Sequence, residues 1–459
     1  MPAEEKNPAL VLPLRGFCRR PPIFAAPGAT VGEAARLMRE RRIGSLLVAG
    51  PPLGILTDRD LRSRVLAEGK GPETPVAEVL SRPVWTLGAD ASSVDALLLM
   101  AERGIRHLPL VEGGRVVGLV SASDLVQAQA DDPLAVLRRL ERAPAQDARP
   151  HAQEIGEAVA RLAEAGVAAP RIGGLVAAFN DALARRILAR VERELGPAPV
   201  ACALLVYGSD GRREQLLPTD QDNALVWADP EPGAEEVARG YFEGFAARVV
   251  AELVAAGFPP CPGGYMATRW RFPLVEAARL FEGFLDRPRP EQVVDICSFF
   301  DFRVAAGGLG LEPLEEIRRR AAGAKRLLRL LAADAEQMRL PLGWLGGLRE
   351  GKQGFDLKRG ILLIVSLARL FALEAGSSEV GTLGRLRDAE ATIGKGDAET
   401  LAEAFRFLVG LRLDEQLAGH AHGSRVELKE LNAMEISFLE DVFHFLRRLQ
   451  AALPQRFAL

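Results

Sequence analysis

The chain has 459 residues, a formal net charge of −3 and an isoelectric point near 6.1, with 48% of residues hydrophobic and 26% charged. Such a composition fits about three ordinary globular domains and excludes the basic footprint of a dedicated nucleic-acid binder. Four cysteines, Cys18, Cys202, Cys261 and Cys297, are scattered without a C-x-x-C pair, which excludes a disulfide framework or a cysteine-rich zinc module. The N-terminal stretch MPAEEKNPAL has no basic segment followed by an apolar one, and apolar runs such as Ile361 to Val365 fall far short of the ~20 residues that cross a bilayer. The expectation is a cytoplasmic protein without membrane contact.

An internal repeat organises the N-terminal third. Gly54 to Leu61 (GILTDRDL) is echoed by Gly118 to Leu125 (GLVSASDL), 118 − 54 = 64 residues later. Upstream, Val31 to Met38 is echoed by Val94 to Met100, and Ile43 to Val48 by Ile105 to Val111. Each unit predicts helix, strand, turn, strand, helix, because helical apolar spacing gives way to short Gly-punctuated apolar runs. The pair spans residues 14–130, and a Pro-broken, Arg-rich connector follows at 131–152.

Residues 153–306 predict two helices divided between Gly166 and Pro170, then an apolar strand at Val200 to Tyr207, a second at Asn223 to Trp227, and a helix over Tyr241 to Ala256. The motif of interest runs from Tyr207 to Val226 (YGSDGRREQLLPTDQDNALV). A strand ends at Gly208 and Ser209, and an Asp-x-Asp, Asp220 and Asp222, opens the next. Alternate residues of a strand share a face, so the two carboxylates point together. Carboxylates so paired suit Mg2+, which takes one or two of them plus substrate phosphate oxygens. A Gly-Ser turn brings backbone N–H groups and a hydroxyl close to phosphates, and Arg212 and Arg213 supply cations beside it. Beyond Gly307 the chain predicts an all-α bundle over 307–459, with helices at Leu311 to Met338, Asp356 to Ala375, Ala398 to Ala418 and Ala433 to Leu453.

Gly-Ser, about ten residues, then Asp-x-Asp between apolar runs resembles the polymerase-beta type of nucleotidyltransferase. The full central string, with Cys261 to Ala267 (CPGGYMA), Phe299 to Arg303 (FFDFR), Asp356 to Arg359 (DLKR) and Phe405 to Gln416, is similar to a narrower bacterial group. Its members join CBS domains to a nucleotidyltransferase domain related to PII-protein uridylyltransferase. The repeated Gly-h-h-[Ser/Thr]-x-x-Asp also resembles tandem CBS domains. The resemblance implies a tandem α/β CBS pair, a mixed-sheet transferase domain and an all-α substrate-binding domain. It implies a nucleoside triphosphate and Mg2+ on Asp220 and Asp222, with phosphates at Gly208, Ser209, Arg212 and Arg213, and a protein as acceptor. ATP, ADP or AMP is expected on Thr57, Asp60, Ser121 and Asp124, with a homodimer formed through the CBS pair.

Active members of the wider superfamily place a third carboxylate on a later strand. The segment after Phe258 (PPCPGGYMATRWR) has none, so Asp301 is the expected catalytic substitute, with Asp295 behind it. The alternative is a nucleotide-sensing regulatory protein that binds without reacting. His107 beside a CBS strand, Arg269 to Arg271 after a Gly-Gly turn, and Lys358 with Arg359 are further contact candidates. His420 and His422 read as a solvated loop.

Overall fold

The computed structural model describes residues 13–18, 21–41, 43–50, 52–127, 151–217, 220–343, 347–351, 354–419 and 424–459. The connector expected at 131–152 lies outside them apart from its last two residues, as do His420 and His422. The chain forms two compact units, residues 1–136 with 164–167, and residues 137–163 with 168–459.

The first unit carries the repeat. Its first half runs β1 (Phe24–Ala25), α1 (Val31–Arg41), β2 (Ser45–Val48), β3 (Gly54–Thr57) and a helical segment over residues 58–66. Its second half runs β4 (Leu87–Gly88), α2 (Ser93–Arg103), β5 (His107–Glu112), β6 (Arg115–Ser121) and α3 (Ala122–Gln127). The sheets share one order, β1-β2-β3 and β4-β5-β6, with the first pair parallel and the second antiparallel in each. The leading two-residue strands add to the expected pattern. In the first half, Val31, Ala34 and Met38 of α1 bury against Leu46, Val48 and Leu56, so an i, i+3, i+7 stripe meets alternating strand positions.

The second unit begins with α4 (His151–Glu164) and α5 (Ala169–Leu195). A four-stranded sheet follows, ordered β10-β7-β8-β9 from β7 (Cys202–Val206), β8 (Asn223–Trp227), β9 (Arg271–Pro273) and β10 (Arg303–Gly307). The pairs β10/β7 and β7/β8 are antiparallel and β8/β9 is parallel. Every residue of β8 is buried, as are four of the five in β7, which is why both read as unbroken apolar runs rather than alternating ones. Helices α6 (Glu235–Ala255), α7 (Leu274–Asp286) and α8 (Val293–Phe300) complete this part. Phe281 packs against Phe284, Phe299, Phe300 and Phe302.

The C-terminal helices are α9 (Glu312–Arg320), α10 (Lys325–Gln337), α11 (Leu357–Glu374), α12 (Thr382–Asp388), α13 (Lys395–Leu417) and α14 (Ala433–Phe457). The single helix expected over Leu311 to Met338 is two, parted by a 3-10 turn at Ala321–Gly323. These helices form one compact unit with the sheet, not a separate third body. Buried ion pairs and packing between α13 and α5 hold them there.

Candidate metal and phosphate site

Strand register brings the motif together. Val206 pairs with Asn223, so the residues leaving β7 lie beside those entering β8, and the Tyr207 N–H donates to the Asp222 carbonyl at 3.1 Å. The chain then makes one helical turn, Gly208–Gly211. Gly208 has φ +58°, and a Cβ there would lie 3.2 Å from Asp222 Oδ2. A Cβ on Gly211 would meet the Asp301 carbonyl oxygen at 2.1 Å and that of Val206 at 2.9 Å. Close approach therefore requires glycine at position 211, and the left-handed backbone favours it at 208.

Asp220 and Asp222 precede β8 rather than opening it, and Gln221 between them bridges to Pro260. Asp220 is exposed and Asp222 half-buried. Burial pushes the Asp222 carboxyl above the usual range, with the neighbouring negative charges adding to it and the Cys261 thiol opposing it by hydrogen bonding. Single donor atoms of Asp220, Asp222 and Cys261 all lie within 4.8 Å of one another. Ser209, Asp220, Asp222 and Asn180 line one cavity between α5 and the β7/β8 edge.

Asp301 is elsewhere. The expectation that it supplies the third metal carboxylate is corrected by its surroundings. It is 1% exposed and accepts hydrogen bonds from Arg369 at 3.0 and 2.7 Å, Arg385 at 2.7 Å and Arg212 at 2.5 Å. Burial alone would raise its pKa, but the three guanidiniums outweigh that and hold it well below the usual carboxylate range. Arg212 is corrected with it. Its guanidinium is spent on Asp301 and on Glu214 at 2.7 Å, leaving the phosphate role without its expected donor. Glu214 in turn accepts the Thr382 N–H at 2.6 Å, so the turn after Gly211 is tied to α12. Arg213, at φ 60°, lies beside Asp181 and Asp210 and offsets their charge. Arg303 binds Asp181 at 2.6 Å and Asp210 at 2.8 Å, which fixes the helical turn from below. Asp295 accepts the Tyr265 hydroxyl at 2.6 Å and is not among the three clustered donors.

In the first unit the repeated Ser/Thr-x-x-Asp forms the same device twice. The Thr57 N–H and hydroxyl donate to Asp60 Oδ2 at 3.0 and 2.7 Å, and the Asp60 N–H returns to Thr57 Oγ1 at 3.3 Å. Ser121 and Asp124 repeat this at 2.8, 2.6 and 3.2 Å. These are capping boxes. They commit one carboxylate oxygen of each Asp, and Ser81 at 3.4 Å also reaches the other oxygen of Asp60. His107 pairs with Ser121 across the strands; burial lowers its pKa while Asp124 and Asp58 oppose the shift. Arg271 pairs with Glu243, Arg359 with Asp356, and Arg269 lies over the Trp270 ring. No described helix is long and apolar enough to cross a membrane.

Comparison with known proteins agrees with this layout. CBS-domain models match residues 14–67 and 76–131. The model described as "Putative nucleotidyltransferase DUF294" matches residues 153–291, and "Putative nucleotidyltransferase substrate binding domain" matches 325–457. An uncharacterized protein of Methanopyrus kandleri is 38% identical over 116 residues, 24% of this chain and 59% of that protein. The CBS domain-containing protein YhcV of Bacillus subtilis is 40% identical over 106 residues, 23% of this chain and 76% of that protein. The crystal structure of an uncharacterized conserved protein from Pyrococcus horikoshii is 30% identical with a TM-score of 0.25, over 26% of this chain and 92% of that one. The chain belongs to the CBS-domain-containing proteins and carries, beyond its CBS pair, a nucleotidyltransferase domain of the DUF294 family with that family's substrate-binding domain.

Proposed function

We propose that the second unit transfers a nucleoside monophosphate from a nucleoside triphosphate to an acceptor held by the C-terminal helices. The observation that carries this reading is the meeting of the Gly208–Ser209 turn with Asp220 and Asp222 beside a lined cavity. The acceptor oxygen attacks the α-phosphorus, the bond to the bridging oxygen breaks, pyrophosphate leaves, and the acceptor proton passes to solvent. Asp220 and Asp222 would hold a divalent ion, Mg2+ in the simplest case, which would supply positive charge against the phosphates. Ser209 and the first-turn N–H groups contact the phosphates. Charge-assisted contact from Arg213 supports the same role at the far side of the turn.

By family likeness the acceptor is a protein, modified as in PII uridylylation, and the CBS pair senses ATP, ADP or AMP as a homodimer. The test incubates the full chain with each α-labelled triphosphate, Mg2+ and cell extract, beside an Asp220→Asn/Asp222→Asn double variant. Label on an acceptor with the wild type alone is expected. Equal labelling by both proteins removes the transferase reading, and a nucleotide-binding regulatory protein then takes its place.

A further inference from the structure

The third donor is a sulfur. Cys261 lies in the turn that follows α6, 9% exposed, and its Sγ is one of the three atoms that converge with Asp220 and Asp222. Burial raises the pKa of the Cys261 thiol and the contact with Asp222 adds to it, against a smaller opposing effect from the backbone N–H groups of Tyr265 and Gly263. The turn is held in place from both sides. Gln221 donates to the Phe258 carbonyl at 3.1 Å, the Asn223 N–H donates to the Tyr265 carbonyl at 2.8 Å, and the Ala267 N–H donates to Asn223 Oδ1 at 2.8 Å. The sulfur is thus fixed to the segment that bears the two carboxylates.

An independent feature borders the cavity that the two carboxylates line. Asn180, 9% exposed, lines the cavity shared with Asp220 and Asp222. Its amide nitrogen is used by Asp210 and Gln215, both at 3.3 Å, while its oxygen Oδ1 has no hydrogen-bond partner among the described residues. A buried acceptor left without a donor is costly, and a bound cation with its waters satisfies it.

We propose that Cys261 is the third protein ligand of the site, and that it selects a borderline ion of the Zn2+ type over Mg2+. This rests on the metal role proposed above for Asp220 and Asp222. On ion binding the thiol proton leaves to solvent and the Asp222 oxygen it engaged turns to the ion. Metal–sulfur and metal–oxygen bonds of about 2.0–2.3 Å need donors about 3–4 Å apart, so side-chain movements of about 1 Å close the observed spread. A thiolate favours Zn2+ or Co2+, whereas an all-oxygen set suits Mg2+ and Mn2+.

The experiment titrates the full chain with Co2+, without nucleotide, and follows the thiolate-to-cobalt charge-transfer band in the near ultraviolet. Zn2+ affinity is read by competition with a chromophoric chelator, and Mg2+ affinity by calorimetry. The band is expected in the wild type and absent in Cys261→Ser. Zn2+ affinity should fall in that variant by about 100-fold or more, beyond the usual loss for an outer partner. Cys261→Asp should lack the band and bind Mg2+ more tightly than the wild type. Circular dichroism melting identifies whichever of the two variants is folded, and that variant is read. A wild type with no band, or a Cys261→Ser protein that keeps the band and its Zn2+ affinity, overturns the inference. The two readings fail separately. A cysteine-dependent band without nucleotidyl transfer sinks only the transferase reading, while Mg2+-supported transfer with no band sinks only the sulfur ligand.

Discussion

Replacing Asp301 by Asn removes one negative charge from a buried point where Arg212, Arg369 and Arg385 converge. Taking away one partner of a buried ion pair costs about 3–5 kcal/mol, because the remaining charge is left uncompensated. Two features put this site at the lower end. Arg212 keeps Glu214 at 2.7 Å, and Arg385 keeps the carbonyls of Glu379 and Phe300 at 2.9 and 3.1 Å. Among the described residues both hydrogen bonds of Arg369 go to Asp301, so it loses more than the other two arginines. A loss of about 3 kcal/mol follows, and at about 2 °C per kcal/mol for a large unit the melting temperature drops by about 6 °C. Arg369→Met should cost less, because Asp301 retains Arg212 and Arg385.

The pH dependence has a definite sign. Asp301 titrates below its unfolded value, so the stability it contributes is fully present above the unfolded carboxylate pKa of about 3.9 and is lost as the solution becomes more acidic than that. Differential scanning calorimetry of the full chain between neutral pH and pH 3 measures both effects. The wild type should lose stability steeply below about pH 4, and Asp301→Asn should be less stable at neutral pH with a shallower acid slope. An Asn variant with an unchanged melting temperature but abolished metal binding would refute this account and return Asp301 to the metal site.

Three further outcomes are expected. Gly211→Ala drives a methyl into the Asp301 and Val206 carbonyls and should destabilise the second unit by about 1–3 kcal/mol, seen as a lower melting temperature. Gly208→Ala carries about 1–2 kcal/mol of left-handed strain and crowds Asp222, so divalent-ion affinity measured by calorimetry should fall while the protein still folds. Ser121→Ala removes a capping box and should lower the stability of the first unit by about 1 kcal/mol in chemical unfolding; saturating AMP, ADP or ATP should raise that unit's unfolding midpoint in the wild type.

Much of the layout was legible because it rests on local signals. The 64-residue echo produced two sheets of the same order, and the apolar runs at Val200 to Tyr207 and Asn223 to Trp227 became the buried central strands. The short strands were not legible. Phe24–Ala25, Leu87–Gly88 and Arg271–Pro273 are two or three residues long and exist only because a longer neighbour offers hydrogen bonds. Helices Leu274–Asp286 and Val293–Phe300 bury one face each at helical spacing, Ala277, Phe281, Phe284 and Leu285 on the first and Ile296, Phe299 and Phe300 on the second, so their period was legible.

By itself the sequence determined which groups lie close along the chain: the glycine-serine turn, the Asp220–Asp222 pair and the two Ser/Thr-x-x-Asp caps, all of them interactions within about a dozen residues. Only the tertiary structure decided the fate of charges whose partners are remote. Asp301 meets arginines 68, 84 and 89 positions away, so a residue chosen for its carboxylate became the hub that joins the sheet to the helices. Cys261 is brought to Asp222 by the bridge between Gln221 and Pro260 and by the bonds of Asn223 to the following turn. A search for a third carboxylate passes over a thiol, because spacing reports chain distance while coordination depends on distance in space.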